Sequence, residues 1–257
     1  MSQGVLVTIA YDGSEFVGWA RQKSGRSVEE TLAQAIHVID PDASMPRGTS
    51  RTDAGVHADA QMAAFDTTRT IDARGWVLAL NSNLPDDVAV RQARSIRAEY
   101  KPRFASRSKR YRYKLHCDEL RDPNARHRTW RVAWELDRAR MQREAGLLVG
   151  THDFNAFRTA SDERKDTNRT LSRVGLEPHE RTLSIVVEGD AFLHNMVRII
   201  VGTLVDVGRG HLAEGTITKA FATGDRTVLG PTAPAEGLTL ESIDLDLGEG
   251  AGEPWPR

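Results

Sequence analysis

Two successive rounds of strand and helix signals, with no Ser/Gly/Pro-rich linker between them, constrain this chain more than any other feature. Val5 through Tyr11 is rich in β-branched residues and stops at Asp12-Gly13, which reads as a buried strand ending in a turn. Ser27-Val28-Glu29-Glu30 has the form of a capping box. Val28, Leu32, Ala35, Ile36 and Ile39 follow it at helical spacing until Pro41 ends the helix. A strand over 61–66, a helix over 73–81 and a strand over 88–96, entered through a Pro85 turn, complete the first round. The second opens with a strand over 108–116, which places Tyr111 and Tyr113 on one face and Arg110 and Arg112 on the other. Asp137 caps a helix that turns Met141, Ala145 and Leu148 inward and ends near Gly150. Strands over 171–177 and 183–188 come next. Met196, Ile199, Ile200, Thr203, Leu204 and Val207 then line a helix closed by Gly208 and Gly210, a shorter helix runs to Phe221, and a last strand covers 238–247. No internal sequence repeat is detectable. The expectation is an α+β chain of two halves, residues 1–105 and 106–247, with sheets joined edge to edge, a cleft across the junction, and a frayed tail over 248–257.

Composition narrows the class. A chain of 257 residues, 39% hydrophobic and 28% charged, is an ordinary globular protein with a real core. Its one cysteine, Cys117, excludes an intramolecular disulfide and a cysteine-based zinc site, and suits a reducing cytoplasm. The start Met1-Ser2-Gln3-Gly4 lacks the basic and apolar runs of a signal peptide, and no stretch approaches the roughly 20 apolar residues of a membrane span. A cytoplasmic protein without membrane contact is expected. The net charge of -1, from 35 basic and 36 acidic residues, means that any surface for a polyanion arises by local segregation. Such segregation is present: Lys101, Arg103, Arg107, Lys109, Arg110, Arg112 and Lys114 lie in one run without an acid, and Arg126, Arg128 and Arg131 in another, while the tail after Leu240 is acidic. A charge run also suits a merely solvated face. Phe104, Tyr111 and Tyr113, interleaved with the cations, favour RNA, whose phosphates need cations and whose unstacked bases need aromatic planes.

The stretch Gly48-Thr49-Ser50-Arg51-Thr52-Asp53-Ala54-Gly55-Val56-His57-Ala58 packs small residues, one arginine and one carboxylate into a segment with little apolar bulk. Two readings fit it: an active-site loop whose backbone approaches a ligand closely, with Asp53 as the reactive group, and an Asp-capped turn beside a solvated Arg51. His57 and Asp59 do not make a metal site, because a lone Asp/His pair lacks the remaining ligands. His116 beside Cys117 is equally weak.

Arg51 through Ala58 resembles the catalytic signature of the tRNA pseudouridine synthase A family. Further segments that resemble that family follow in order: Tyr11-Asp12-Gly13 with Gly18-Trp19, Arg110-Tyr111-Arg112-Tyr113, His152-Asp153-Phe154 with Phe157, Phe192-Leu193 through Gly202, and Ala235-Glu236-Gly237-Leu238. The resemblance implies two ferredoxin-like α+β halves forming a continuous, mainly antiparallel central sheet, with helices on one face and a basic RNA-binding cleft on the other, in a homodimer. It implies isomerisation of uridines in the tRNA anticodon stem-loop, at positions 38–40, without metal or cofactor. Asp53 matches the family nucleophile, Tyr111 the tyrosine that stacks on the uracil and can accept the C5 proton, and Arg198 the arginine that pairs with the aspartate. Arg51 and Arg21 match positions beside the RNA, and Lys109, Arg110, Arg112, Arg107 and Arg103 are the candidate RNA contacts of the basic run. Two departures stand out. The family usually has glycine where this chain has Ser50, which would add strain if that position needed a positive φ, and glutamine where it has Ala20.

The residues suit that chemistry. Pseudouridine formation breaks the bond from ribose C1′ to uracil N1, turns the base and rejoins C1′ to C5 with loss of the C5 proton. It needs a nucleophile or base at the glycosidic bond, a pocket for the detached base and a proton acceptor. An unperturbed Asp, with a pKa of about 3.9, is a carboxylate at neutral pH. Attack on C1′, attack on C6 and removal of the C2′ proton all remain open to it. Arg198 stands among Val197, Ile199 and Ile200, where an unpaired charge would be costly. Tyr113, on the face shared with Tyr111, is the internal rival for the stacking role. A non-catalytic tRNA-binding factor and a carboxylate glycosidase are the competing functions. The second lacks another acid in the signature.

Overall fold

The computed structural model describes residues 2–256. In chain order its elements are β1 (Gln3–Tyr11), α1 (Val28–Ile39), β2 (Arg47–Gly48), β3 (His57–Thr67), α2 (Ala73–Asn81), β4 (Val88–Ile96) and β5 (Ser106–His116), then β6 (Trp130–Arg131), α3 (Arg138–Leu147), β7 (Gly150–Asp153), β8 (Asn168–His179), β9 (Thr182–Gly189), α4 (Met196–Gly208), α5 (Thr216–Thr223) and β10 (Leu238–Leu245). The chain is α+β with mainly antiparallel strand pairing, as the sequence pattern requires. Among the described residues no helix is long and apolar enough to cross a membrane.

The chain groups into two compact units, Met1–Arg107 with Leu240–Arg257, and Ser108–Thr239. In the first, the strand order is β4-β1-β3-β10, with β2 beside β3 and with β1 antiparallel to both β3 and β4. Helix α1 starts where Ser27 accepts the Glu30 amide and buries Val28, Leu32, Ala35 and Ile36, so the period read from sequence is the packed face. Helix α2 is capped by Asp72 and drives Trp76 edge-on against Phe65 of β3, with ring centroids 5.0 Å apart.

In the second unit β5, β9, β8 and β7 pair antiparallel in that order, and β6 adds to β5 in parallel. Here α4 is the central element: every residue of it is buried except Arg198. A helix apolar all round must be surrounded by protein. One of its flanks packs backbone against backbone, since a Cβ on Gly202 would overlap the Pro231 carbonyl oxygen. The N-terminus of α5 has only Gly215 at its cap position, and a carboxylate from another helix serves it instead. Glu144 of α3, itself buried, accepts the Gly215 amide at 2.6 Å and the Ile217 amide at 3.0 Å.

The structure groups the C-terminal residues differently from the expected division. The expected second half ran to residue 247, whereas Leu240–Arg257 belongs with the first unit, because β10 lies beside β3 in the sheet order. Chain order does not reveal such a non-local pairing. The expected frayed tail is instead docked on β4. The Trp255 amide donates to the Ala93 carbonyl and the Ala93 amide to the Trp255 carbonyl, at 2.9 and 3.0 Å, while Gly252 donates to the Ser95 carbonyl. An edge strand leaves such groups unpaired, and the tail satisfies them.

Gly202→Ala tests the close packing on α4. A glycine-to-alanine change inside a helix ordinarily stabilises by up to about 1 kcal/mol. Here the added methyl meets backbone, so the expected result is destabilisation of about 1–3 kcal/mol by urea unfolding.

Candidate active site

The signature loop is positioned in the first unit by backbone contacts from the segment that joins β1 to α1. Gly13 lies so close to the Val56 carbonyl that a Cβ would overlap it, and its amide donates to Nδ1 of the buried His57 at 3.1 Å. Gly18, at φ +110°, brings its backbone against the loop: a Cβ there would sit 2.6 Å from the Thr52 carbonyl oxygen. The neighbouring Trp19 amide donates to that carbonyl at 3.1 Å, and the Gly55 amide to the Phe16 carbonyl at 3.2 Å. Inside the fold the hydroxyls of Tyr11 and Thr52 share a hydrogen bond of 2.7 Å. Gln61 of β3 closes the other side, taking the Ser50 amide on Oε1 at 3.3 Å and donating from Nε2 to the Ser50 carbonyl at 2.7 Å.

Within this frame the loop reverses tightly, the Val56 amide donating to the Asp53 carbonyl at 3.1 Å with Gly55 at φ +77°. Thr52 is buried, Asp53 half-buried, and Arg51 and Ala54 exposed. Asp53 is therefore half-buried in a loop that is anchored by the buried Thr52 and Val56. Among the described residues the non-glycine positions with positive φ are Glu99, His127, Glu180 and Asn195. Ser50 is not one of them, so serine there carries no left-handed strain. His57 opens β3, and its ring serves the Gly13 amide.

In the second unit the β5 alternation is as expected: Tyr111 and Tyr113 are buried, and Arg110 and Arg112 half-buried. The two tyrosines differ in their partners. The Tyr113 hydroxyl donates to the Pro234 carbonyl at 2.7 Å, and burial pushes its phenol far above the usual range, so that it remains a neutral donor. Gly237 lies against its ring with no room for a Cβ. Tyr111 instead packs edge-on against Phe192, with centroids 5.1 Å apart. Arg198 is half-buried in the first turn of α4, its Nε donating to the Ala233 carbonyl at 2.7 Å and one terminal nitrogen to Oδ1 of Asn195 at 2.6 Å. The Ala233 amide donates back to the Arg198 carbonyl at 3.1 Å.

The loop over 159–168, whose polar composition carries no readable code, supports the segment that leads into α4. Asp162, buried, accepts the His194 amide at 2.9 Å, while Arg164 donates to the Phe192 carbonyl at 2.8 Å. Burial alone would raise the Asp162 carboxyl, but the His194 and Arg164 amides and the Arg164 and Arg158 charges outweigh it and hold it below the usual range. No sequence signal marks the contact of Asp162 with the His194 amide, which lies 32 residues away.

The basic residues divide. Arg110 and Arg112 face Glu177 and Glu188 across the strands, with Arg112 at 2.7 Å from Glu177, and Arg107 pairs with Asp246 at 2.9 Å. The run is acid-free along the chain but not across the sheet. Arg21 is exposed and 3.5 Å from Glu30, and Arg51 and Arg103 are exposed. Lys109 is half-buried in β5.

Two results are expected from these contacts. Gly18→Ala, strained in φ and in contact with the Thr52 carbonyl, speeds amide exchange at Gly55 and Val56 while most other amides keep their protection. For Asp162, the lowered pKa means a contribution present above the unfolded value and lost as pH falls through the folded one. Thermal melts of Asp162→Asn are therefore expected to lie below wild type at neutral pH, with the gap closing in acid.

The model of the family described as tRNA pseudouridine synthase matches residues 7–105 and 145–246. The chain is 39% identical over 241 residues to the tRNA pseudouridine synthase A of Acetivibrio thermocellus, covering 94% of this chain and 99% of that one. It is 39% identical over 239 residues to the protein of that name from Geobacter sulfurreducens, covering 93% and 98%. For the one from Shouchella clausii the identity is 40% over 237 residues, covering 92% and 91%. With the fold, the signature loop and these likenesses in agreement, the chain belongs to the tRNA pseudouridine synthase family, isomerases that convert uridine to pseudouridine in tRNA.

Proposed function

We propose that this enzyme modifies uridines of the tRNA anticodon stem-loop at positions 38–40, with Asp53 as nucleophile and without a cofactor, acting as a homodimer in the cytoplasm. The observation that carries the assignment of Asp53 is the frame around it. Gly13, Gly18, Tyr11, Trp19 and Gln61 all spend contacts on holding one loop, whose half-buried acid is Asp53. Reactive groups need such preorganisation, whereas a turn that only links two strands does not.

In this reading Asp53 attacks the target nucleotide after the uridine leaves its stack, at C1′ or C6, or removes the C2′ proton. Tyr111 stacks on the uracil and takes up the C5 proton. Tyr113, whose buried phenol is held protonated, is the poorer proton acceptor. Arg198 pairs with Asp53 and keeps it ionised. Its Nε and one terminal nitrogen are committed to Ala233 and Asn195, which fixes the plane of the guanidinium. The exposed Arg51, Arg21 and Arg103 contact phosphates, as does Lys109 of the basic run. Arg107, Arg110 and Arg112 have carboxylate partners in the fold and contribute less to affinity.

The test is mapping of pseudouridine in tRNA transcripts with uridine at each anticodon-arm position in turn. Product is expected at positions 38–40 only, and product confined to another arm would overturn the assignment. Arg198→Lys keeps the charge but not the fork, so single-turnover rates are expected to fall roughly 100-fold with tRNA affinity little changed.

A further inference from the structure

The turn before β5 displays an aromatic ring that the proposed chemistry does not use. Phe104 is 82% exposed, the most exposed of the large apolar side chains among the described residues. It is nevertheless rigidly held. The Phe104 amide donates to the Lys101 carbonyl at 3.1 Å, closing a tight turn whose Pro102 is buried. The chain just before it is anchored through Tyr100, 1% exposed, whose hydroxyl donates to the Asp246 carbonyl at 2.7 Å and whose carbonyl accepts from Arg47 Nε at 3.1 Å. Glu99 holds a positive φ of 56°, its amide donating to Asp66 at 2.9 Å. A phenyl ring left in water on a pedestal of this stiffness is preorganised for contact.

The surroundings say what kind of contact. Arg97, Lys101 and Arg107 line the same open surface as Phe104, against the two acids Glu99 and Asp246, and the exposed Arg103 immediately precedes Phe104 in the turn. Asp246 is engaged by Arg107. Lys101 and Arg103 are exposed and have no ion-pair partner among the described residues. A bare aromatic plane flanked by uncompensated cations matches an unpaired nucleotide, base on the ring and phosphates on the side chains. A protein surface would offer the cations carboxylates but has no comparable need for an isolated ring.

We propose that Phe104 is a stacking platform for an unpaired nucleotide of the tRNA substrate, with Lys101 and Arg103 holding the adjoining phosphates. It rests on tRNA being the substrate and adds a nucleotide-binding contact distinct from the one assigned to Tyr111. Because the ring is exposed, Phe104→Ala is expected to melt with wild type.

The experiment measures tRNA affinity of the full-length protein over a salt series for wild type, Phe104→Ala, Phe104→Leu, Phe104→Trp and Arg103→Ala, with sedimentation of each and tritium release from C5-labelled tRNA by wild type. Stacking predicts affinity about 5- to 100-fold weaker for alanine and leucine, near wild type for tryptophan, and no change in salt slope. Arg103→Ala is expected to lower the slope by about one. Wild-type affinity in Phe104→Ala would overturn the proposal. So would restoration by leucine together with a change of oligomeric state in the alanine variant, which marks a contact with a second copy. Absence of tritium release by wild type would instead overturn the functional reading, whatever Phe104 does.

Discussion

The contact on which the site depends is backbone on backbone: the segment after β1 lies directly against the signature loop. Gly13 and Gly18 leave no space for a Cβ between that segment and Val56 or Thr52, so carbonyls and amides meet without intervening side chains. Backbone has no rotamers to relax, and a loop held this way is fixed to a fraction of an ångström. The Tyr11–Thr52 hydrogen bond then locks the same contact from the buried side, where an unpaired hydroxyl would cost about 1–3 kcal/mol. The exposed and half-buried residues of the loop inherit this precision.

The second unit uses the same device. Gly202 of α4 lies against the Pro231 backbone and Gly230 against the Gly202 backbone, which brings the 230–234 segment alongside the helix and sets the Ala233 carbonyl against Arg198. The next residue, Pro234, receives the Tyr113 hydroxyl, and Gly237 makes room for that ring. Glycines in these two segments are the places where one backbone must pass another, and the polar groups that matter are fixed beside them.

How much of this was legible follows from the range of each interaction. Helices α1 and α2 and strand β4 were readable nearly to the residue, because caps and periodicity are local: Ser27, Asp72 and the run from Val88 to Ile96 carry their own signals. The two-residue strands β2 and β6, the docking of the tail on β4 and the capping of α5 by Glu144 were not, since each is decided by a partner far away in sequence. The same limit explains Arg110 and Arg112. Their run contains no acid, but Glu177, 65 residues beyond Arg112, sits across the sheet. Asp53 by composition alone fitted an ordinary turn as well as a reactive loop. What singled it out was a long motif, and the structure adds why Gly13 and Gly18 accompany that motif. The Ser50 departure lost its force once its backbone was seen to need no positive φ.

The central claim is that the clamped loop exists to present the Asp53 carboxylate to a uridine. It is tested most directly by tritium release from tRNA labelled at uridine C5, measured beside tRNA affinity for wild type and Asp53→Asn. Asparagine keeps the shape of the side chain and removes the charge and the nucleophile. The account predicts release by wild type, none by the variant, and binding of tRNA by both. Release by Asp53→Asn at the wild-type rate would contradict it.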